Sequence, residues 1–397
     1  MRKKVMVVCA FLLISAVGVG AATYETLHHF TSWEDGQNPY AGLTFDAAGN
    51  LYGVSAFDQV RDGGSLFKLS PSNGVWQLRV LHKFDRQENE GVVPIGGLAV
   101  DEAGNVYGTT SYGHNLDARC GSVFKVSQSG FTHLRYFNRD GAEGCYPQAT
   151  LTYSNGRIWG TTPVGGTKGQ GTLFSVDTSG GSFYFYSFSG IKGSEPLSAF
   201  SLWGYGTTYS GGWKGKGNIY RLDPVKGLTN KHSFKEDGKA GYAPMGDLLT
   251  LYVGGVRTIY GTTSAGGAGG GGTIFRLTEV EPNSDRWTIR VLHSFSFGDA
   301  GGWAPMGGLT ADAAGNLYGT TSRGGDNDSK CGTVFKLSRG AGSRWTHTVL
   351  YSFDYWGNGE DGCLPTSGVV LDAAGNLYGT TVEGGWYDYG TVYEIVP

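Results

Sequence analysis

The stretch Gly308-Leu-Thr-Ala-Asp312-Ala-Ala-Gly-Asn316-Leu-Tyr-Gly-Thr-Thr321 decides the fold, because its last four residues return throughout the chain. Tyr-Gly-Thr-Thr or a close variant starts at Tyr52, Tyr107, Trp159, Tyr205, Tyr260, Tyr318 and Tyr378, at intervals of 46 to 60 residues. A sustained period of this size marks a repeat architecture. Each block lies in a unit that opens at Pro, passes through Asp-x-x-Gly-Asn, a Gly-Gly loop and Gly-Thr-Val-Phe-Lys-Leu, and ends near Val-Leu-His-Ser-Phe. In the sixth unit this predicts four strands: Gly308 to Asp312, Asn316 to Thr321, Gly332 to Leu337 and Thr348 to Phe353. Asp312-Ala-Ala-Gly315 suits a type I turn closed by a left-handed Gly bulge, which makes the first two a hairpin. The third alternates apolar residues with Thr and Lys, and the fourth carries β-branched and aromatic residues.

Seven such units predict an all-β, seven-bladed β-propeller of four-stranded antiparallel blades. The last unit stops at Gly390 to Pro397, after its third strand. Tyr24-Glu25-Thr26-Leu27-His28-His29-Phe30 reads as a fourth strand with no preceding three. Placing it in the last blade closes the ring and leaves few exposed edges. An open solenoid would instead carry atypical polar caps at both ends. With 69 Gly, 13% aromatic and 16% charged residues, and no break in composition, residues 23 to 397 read as a single domain.

Residues 1 to 22 have the layout of a secretory signal peptide: Arg2-Lys3-Lys4, an apolar run from Val5 to Val19, then Gly20-Ala21-Ala22. Their removal leaves 28 of 31 basic residues against 34 acidic ones, a net of −6. A mildly acidic surface argues against a nucleic-acid partner. The apolar run is too short to predict membrane insertion. The expected destination is the periplasm or the cell exterior, and a monomer is expected. Four cysteines remain in matching places of two units: Cys120 and Cys331 before third strands, Cys145 and Cys363 two residues before Pro. In a propeller both loops lie on one face, which predicts the disulfides Cys120–Cys145 and Cys331–Cys363. No C-x-x-C pair or Cys/His cluster suggests a metal.

The long motif Pro-x-x-Gly-Leu-x-x-Asp-x-x-Gly-Asn-Leu-Tyr-Gly-Thr-Thr, followed by Gly-Gly and Gly-Thr-Val-Phe-Lys-Leu, resembles the GloVer tandem-repeat family of secreted bacterial proteins, named for Gloeobacter and Verrucomicrobia. Asp312-Ala-Ala-Gly-Asn-Leu-Tyr318 is more distantly similar to NHL and gluconolactonase-like propellers. The resemblance covers the mature chain and implies secretion and a repeat fold, but no catalytic residues. The fourth unit departs most, with Ala199 to Thr208 lacking the Asp-x-x-Gly-Asn turn. The third has Ser154-Asn155-Gly156 there, and the fifth Val253-Gly254-Gly255-Val256.

Catalysis needs ionisable groups that converge. The inner-strand position three residues after Pro reads Gly42, Gly97, Thr150, Ala199, Asp247, Gly308 and Gly368, so only Asp247 is a candidate in the central channel. His28, His82, His232 and His293 share one fourth-strand position, with Arg135, Tyr186 and Tyr351 in the other units. Residues on separate blades cannot meet on one metal, so packing or hydrogen bonding is expected of them. Asp326-Asn327-Asp328 and the Asp-x-x-Gly-Asn turns have the residue types of calcium loops but lack the alternation and distant Glu. No cofactor is expected, calcium being the one ion these loops bring into question.

The Trp residues divide by place. Trp76, Trp287 and Trp345 begin fourth strands, and Trp159 and Trp203 are expected in the core. Trp33, Trp213, Trp303, Trp356 and Trp386 fall in loops of one face, with Tyr112, Tyr209, Tyr387 and Tyr389. Exposed flat rings suit the faces of sugars, and Asp35, Asp237, Glu360, Asp361 and Asp388 stand near enough in sequence to bind hydroxyls. Packing over the disulfides and Gly-rich loops is the other use of such rings. The chain therefore reads as a non-catalytic recognition or scaffold propeller binding a carbohydrate or an extracellular protein. The candidate ligand-binding residues are Trp33, Trp213, Trp303, Trp356, Trp386, Tyr112, Asp247 and Asp361. The alternatives are a hydrolase or lyase acting on polysaccharide or lactone through the central channel, and a structural envelope or matrix protein.

Overall fold

A computed structural model describes residues 22–59, 63–87, 90–113, 119–138, 142–237, 239–281, 286–327, 329–340, 344–355 and 360–397. Every regular element among them is a β-strand, and they form a seven-bladed β-propeller. Blade six has the plan of the others: inner strand Thr310–Ala311, second Leu317–Thr321, third Thr333–Arg339 and outer Trp345–Ser352, all antiparallel neighbours. The outer strand starts three residues before the expected Thr348, because Trp345 pairs with Arg339.

Blade seven takes its outer strand from the N-terminus. Thr23–His29 pairs antiparallel with Thr391–Val396, from Thr23 opposite Val396 to His29 opposite Thr391. Ring closure is therefore as expected. Blade four differs, with three regular strands, Tyr205–Thr208, Asn218–Asp223 and Gly227–Ser233. Lacking Asp-x-x-Gly-Asn, its inner segment uses serines: Ser201 Oγ accepts from the Tyr205 amide at 3.0 Å, the turn bond that Asp46 makes with Asn50 in blade one, and Ser198 Oγ accepts from the Thr207 amide at 2.9 Å. The turn beyond lifts Trp203 out of the expected core, leaving it 48% exposed. Trp159 is half-buried, its ring 5.0 Å from Phe200.

The repeated block is explained by packing. Tyr318 donates to Asp312 at 3.0 Å, which holds the hairpin turn. Gly319 faces the Phe335 ring, and an added Cβ would stand 2.8 Å from its edge. Thr320 donates to the Ser367 carbonyl of the next blade at 2.6 Å. Thr321 and Thr333 share a 2.8 Å hydroxyl bond between second and third strands. The same hydroxyl pair recurs at Thr162–Thr172, Thr263–Thr273 and Thr381–Thr391.

Blades are locked to one another at the prolines. The residue before each, Asn38, Val93, Tyr146, Glu195, Ala243, Ala304 and Leu364, has φ between 54° and 61°. L-residues disfavour that conformation, and a following Pro restricts it further. Their amides bond back to the preceding blade, as Leu364 to the Cys331 carbonyl at 2.9 Å and Asn38 to Tyr389 at 2.8 Å. Those fixed crossings place each inter-blade loop beside the loop before a third strand. Isolated bridges such as Val92 to Tyr112 and Trp303 to Arg323 confirm that both loops share one face.

Candidate functional site

The disulfides Cys120–Cys145 and Cys331–Cys363 form on that face as the spacing predicts, with Cα separations of 4.5 and 4.7 Å. The second staples the crossing from blade six to blade seven. The short ladder Gly362–Cys363 with Glu383–Gly384 ties the same crossing to the loop carrying Trp386.

Beside this crossing lies a cleft of about 900 Å³, lined by residues 24–29 of the outer strand Thr23–His29 and by Thr31, Tyr351, Asp354, Glu360, Asp361, Trp386 and Tyr387. A bulge at Leu27 shapes its floor: Thr26 pairs with Tyr393 but His28 with Val392. Bulges re-aim side chains. Here His28 Nε2 reaches Asp35 at 2.7 Å, and Asp35 also accepts from the Thr31 amide and hydroxyl at 2.9 and 2.7 Å. Burial opposes ionisation of Asp35, but these bonds hold its carboxyl below the ordinary value.

The same device recurs around the ring. His82 meets Glu90 at 2.9 Å, Arg135 meets Glu143, and Tyr351 donates to Asp361 at 2.8 Å. In these four blades the shared fourth-strand position grips a carboxylate in its own crossing loop. It also stacks on the next blade: His82 on Phe131 at 4.2 Å, His293 on His347 at 4.3 Å and Tyr351 on Tyr24 at 4.1 Å. Packing and hydrogen bonding, as expected, are its work.

Asp361 is buried behind the cleft and accepts from the amides of Asp354 and Gly362, each at 2.7 Å, as well as from Tyr351. Burial nevertheless pushes its pKa up. Its acceptor capacity serves the loop, so it positions rather than faces a ligand. Trp386 tops the opposite wall, 62% exposed, its ring stacked on His29 at 4.1 Å and 12°. The Trp386 amide points at His29 Nδ1 at 3.4 Å, and burial lowers the His29 pKa, so this imidazole is neutral at pH 7. Asp388 fixes the loop by accepting from the Gly384 amide at 2.9 Å, and Gly385 donates to the Asp361 carbonyl at 2.7 Å. Tyr387 is 54% exposed beside Trp386.

The other candidates do not converge here. Trp33 and Trp213 are exposed on blades one and four, and Tyr112 tilts against Tyr146 at 5.2 Å on blade two. Trp303 is half-buried, edge-on to Phe297 at 5.2 Å with Arg323 near its ring. Trp356 lies outside the described residues, as does Asp328 of the acidic loop; Asn327 binds the Phe353 carbonyl at 2.7 Å. Among the described residues no group of three or more His, Cys, Asp or Glu could hold a metal.

Asp247 lines the central channel, about 450 Å³, whose mouth is ringed by the residues after the prolines, among them Tyr40, Ile95, Leu197, Met245 and Met306. Its Oδ1 accepts from the Ala199 amide at 2.6 Å, supplying blade four with a bond its irregular inner segment lacks. Burial raises its pKa, partly offset by that amide and by Thr150.

The profile of the Gloeobacter/Verrucomicrobia repeat matches residues 14–204 and again 199–393. The chain belongs to this repeat family. No curated protein matches the sequence. A crystal structure described as an oxidoreductase (glucose dehydrogenase) from Thermus thermophilus is 14% identical, covering 94% of this chain and 100% of that one, with a TM-score of 0.45. Within the Gloeobacter/Verrucomicrobia repeat, the recurring residues serve folding. The cleft is built from departures: Trp386, Tyr387, Glu360 and the N-terminal strand. Of the residues lining the cleft, sequence reasoning had singled out Trp386, Tyr387, Glu360 and Asp361 but not Tyr24 or His29. The usable signal was that Tyr24 stands four residues before His28, the spacing at which Phe131 and His347 precede Arg135 and Tyr351.

Proposed function

We propose that this protein is an exported recognition propeller that binds a glycan on an extracellular surface in the cleft between blades six and seven. The observation that carries the reading is the pair of exposed rings, Trp386 and Tyr387, held by a braced loop beside carboxylates in a cleft of about 900 Å³. Flat rings stack on the apolar faces of sugars, while carboxylates and backbone groups take hydroxyls. Two disulfides fit an oxidising compartment, and residues 1 to 22 are read as the leader that delivers the chain there. The test is a glycan array probed with the exported, oxidised protein. Binding lost in Trp386→Ala/Tyr387→Ala but kept in Trp213→Ala supports the cleft. Binding that survives the double variant refutes it.

The enzymatic alternative rests on Asp247, a carboxyl kept toward its neutral form at the wall of the channel. It requires turnover of a polysaccharide or lactone that Asp247→Asn abolishes at unchanged thermal stability. Turnover retained in that variant removes the assignment.

A further inference from the structure

The outer strand of blade three, Phe183–Ser187, is unlike the outer strands of the other six blades. It pairs with Thr172–Asp177 in an unbroken register, from Thr172 opposite Ser187 to Val176 opposite Phe183, and among the described residues no strand pairs with its other side. A bulge interrupts each of the other outer strands. Five of those six also carry a Lys, Arg or Glu: Glu25, Arg79, Arg135, Lys231 and Arg290. Bulges and charges are the usual means of keeping an edge from pairing with another chain. Phe183-Tyr-Phe-Tyr-Ser187 has neither, and its Tyr184, Phe185 and Tyr186 are all exposed, Tyr184 by 61%.

The ladder decides which backbone groups this edge presents. The Ser182 carbonyl accepts from the Asp177 amide at 3.1 Å and the Phe188 amide donates to Gly171 at 3.0 Å, so the even-numbered residues bond inward. With no bulge between them, the amides and carbonyls of Phe183, Phe185 and Ser187 face outward. Two such edges laid antiparallel about a twofold axis at Phe185 complement each other. Phe185 exchanges both backbone bonds with its own copy, Phe183 does so with Ser187, and Tyr184 stands opposite Tyr186 at the closer spacing of a non-hydrogen-bonded pair. Aromatic rings directly opposite one another across a sheet attract, and this strand has no charged side chain to set like charges together. We infer that the outer edge of blade three joins two copies of the chain, rim to rim, in a twofold dimer with Phe185 on the axis. Five residues a side cover well under the roughly 800 Å² per partner of a standard interface, which makes the dimer weak, with a Kd on the order of 10–100 μM. Well below that concentration the chain is a monomer. In a ring of seven, blade three stands opposite the boundary of blades six and seven, so the contact leaves the cleft of both copies open.

The experiment is sedimentation velocity of the exported, oxidised protein over a range of about 5 to 500 μM, which brackets the expected Kd. The expected result is a monomer at the low end and mostly dimer at the high end. Phe185→Lys and Phe185→Glu each set like charges on the axis and should weaken association by about tenfold or more, while an equimolar mixture of the two should restore it, since opposite charges then meet. Hydrogen exchange of the unaltered protein gives a readout that needs no variant: the Phe183, Phe185 and Ser187 amides should exchange several-fold more slowly at the high concentration. A chain that stays monomeric throughout the range overturns the dimer. Association that both charge variants retain, or a dimer in which those three amides gain no protection, overturns the blade-three edge in favour of another surface. Folded variants whose mixture stays monomeric, although the three amides of the unaltered protein are protected, overturn the twofold register at Phe185.

Discussion

A ring presses on the glycine of each Tyr-Gly-Thr-Thr block, and that contact makes the block intolerant at one atom. In blade six an added Cβ at Gly319 would stand 2.8 Å from the Phe335 ring edge and 2.9 Å from Leu309 Cδ2. Both neighbours are buried, and buried rings yield little. Gly319→Ala is expected to cost about 1–3 kcal/mol by overpacking, measured by urea denaturation. Phe335→Leu in the same chain should recover part of the loss, because residues in contact are coupled. An unchanged midpoint for Gly319→Ala would mean that the ring moves freely. Much was legible at this scale because every letter of the block has one partner. The hairpin turn could be read from Asp312 and Gly315, and the Thr positions from their alternation. Trp203 was misplaced because the hairpin of blade four is shorter while its turn keeps the usual span: Tyr205 follows Ser201 by four residues where Tyr52 follows Asp46 by six, which leaves Trp203 in the turn.

Among the outer strands, six carry a bulge one residue before the shared position, and that of blade three, Phe183–Ser187, pairs with its neighbour without one. Whether the aimed side chain finds a carboxylate depends on one loop residue, the one before a Gly that is left-handed at Gly36, Gly91, Gly144 and Gly241: Asp35, Glu90 and Glu143 supply it, as Asp361 does before Gly362, whereas Ala240 does not. His232 is thus left beside Ala240, and burial lowers its pKa to about 4; burial, then the neighbouring His293, brings His347 to about 4 as well. Between pH about 6.5 and about 4 the unfolded chain binds protons that these folded rings refuse. Stability therefore falls on acidification through that window, by up to about 1.4 kcal/mol per pH unit for each ring. Ala240→Glu restores the spacing of His82 and Glu90, and should raise the His232 pKa above 6 in an NMR titration while flattening the acid limb of the stability curve. A His232 pKa that stays near 4 would show that desolvation overrides the added charge. The Cys331–Cys363 bond acts on the crossing loop itself. Cys363→Ser should cost about 3–4 kcal/mol by the chain-entropy relation for a loop of its 32-residue separation, read by thermal denaturation of the oxidised proteins.

The whole ring depends on a strand that arrives from the far end of the chain. Thr23–His29 completes blade seven, Phe30 is fully buried behind it, and the cleft exists only because that strand lies beside Tyr351 and Glu360. Such a site is hard to see in sequence: its walls are more than 300 residues apart and join only on closure. Closure can be tested with two altered chains that make opposite demands on it. Removing residues 22–30 uncovers the edge of Thr391–Val396 and should yield a chain that melts well below the intact protein and self-associates, since bare edges template pairing. A circular permutant should instead stay monomeric. Thr23 lies opposite Val396, so a two-residue hairpin linker can join Pro397 to Ala22, and new ends can open at the exposed Asn73-Gly74 turn of blade one. The permutant keeps every strand pairing, and its Tm is expected within about 5 °C of the parent. If both chains melt alike, the N-terminal strand is dispensable to the ring; if only the deletion fails, closure is what holds the seven blades and the cleft together.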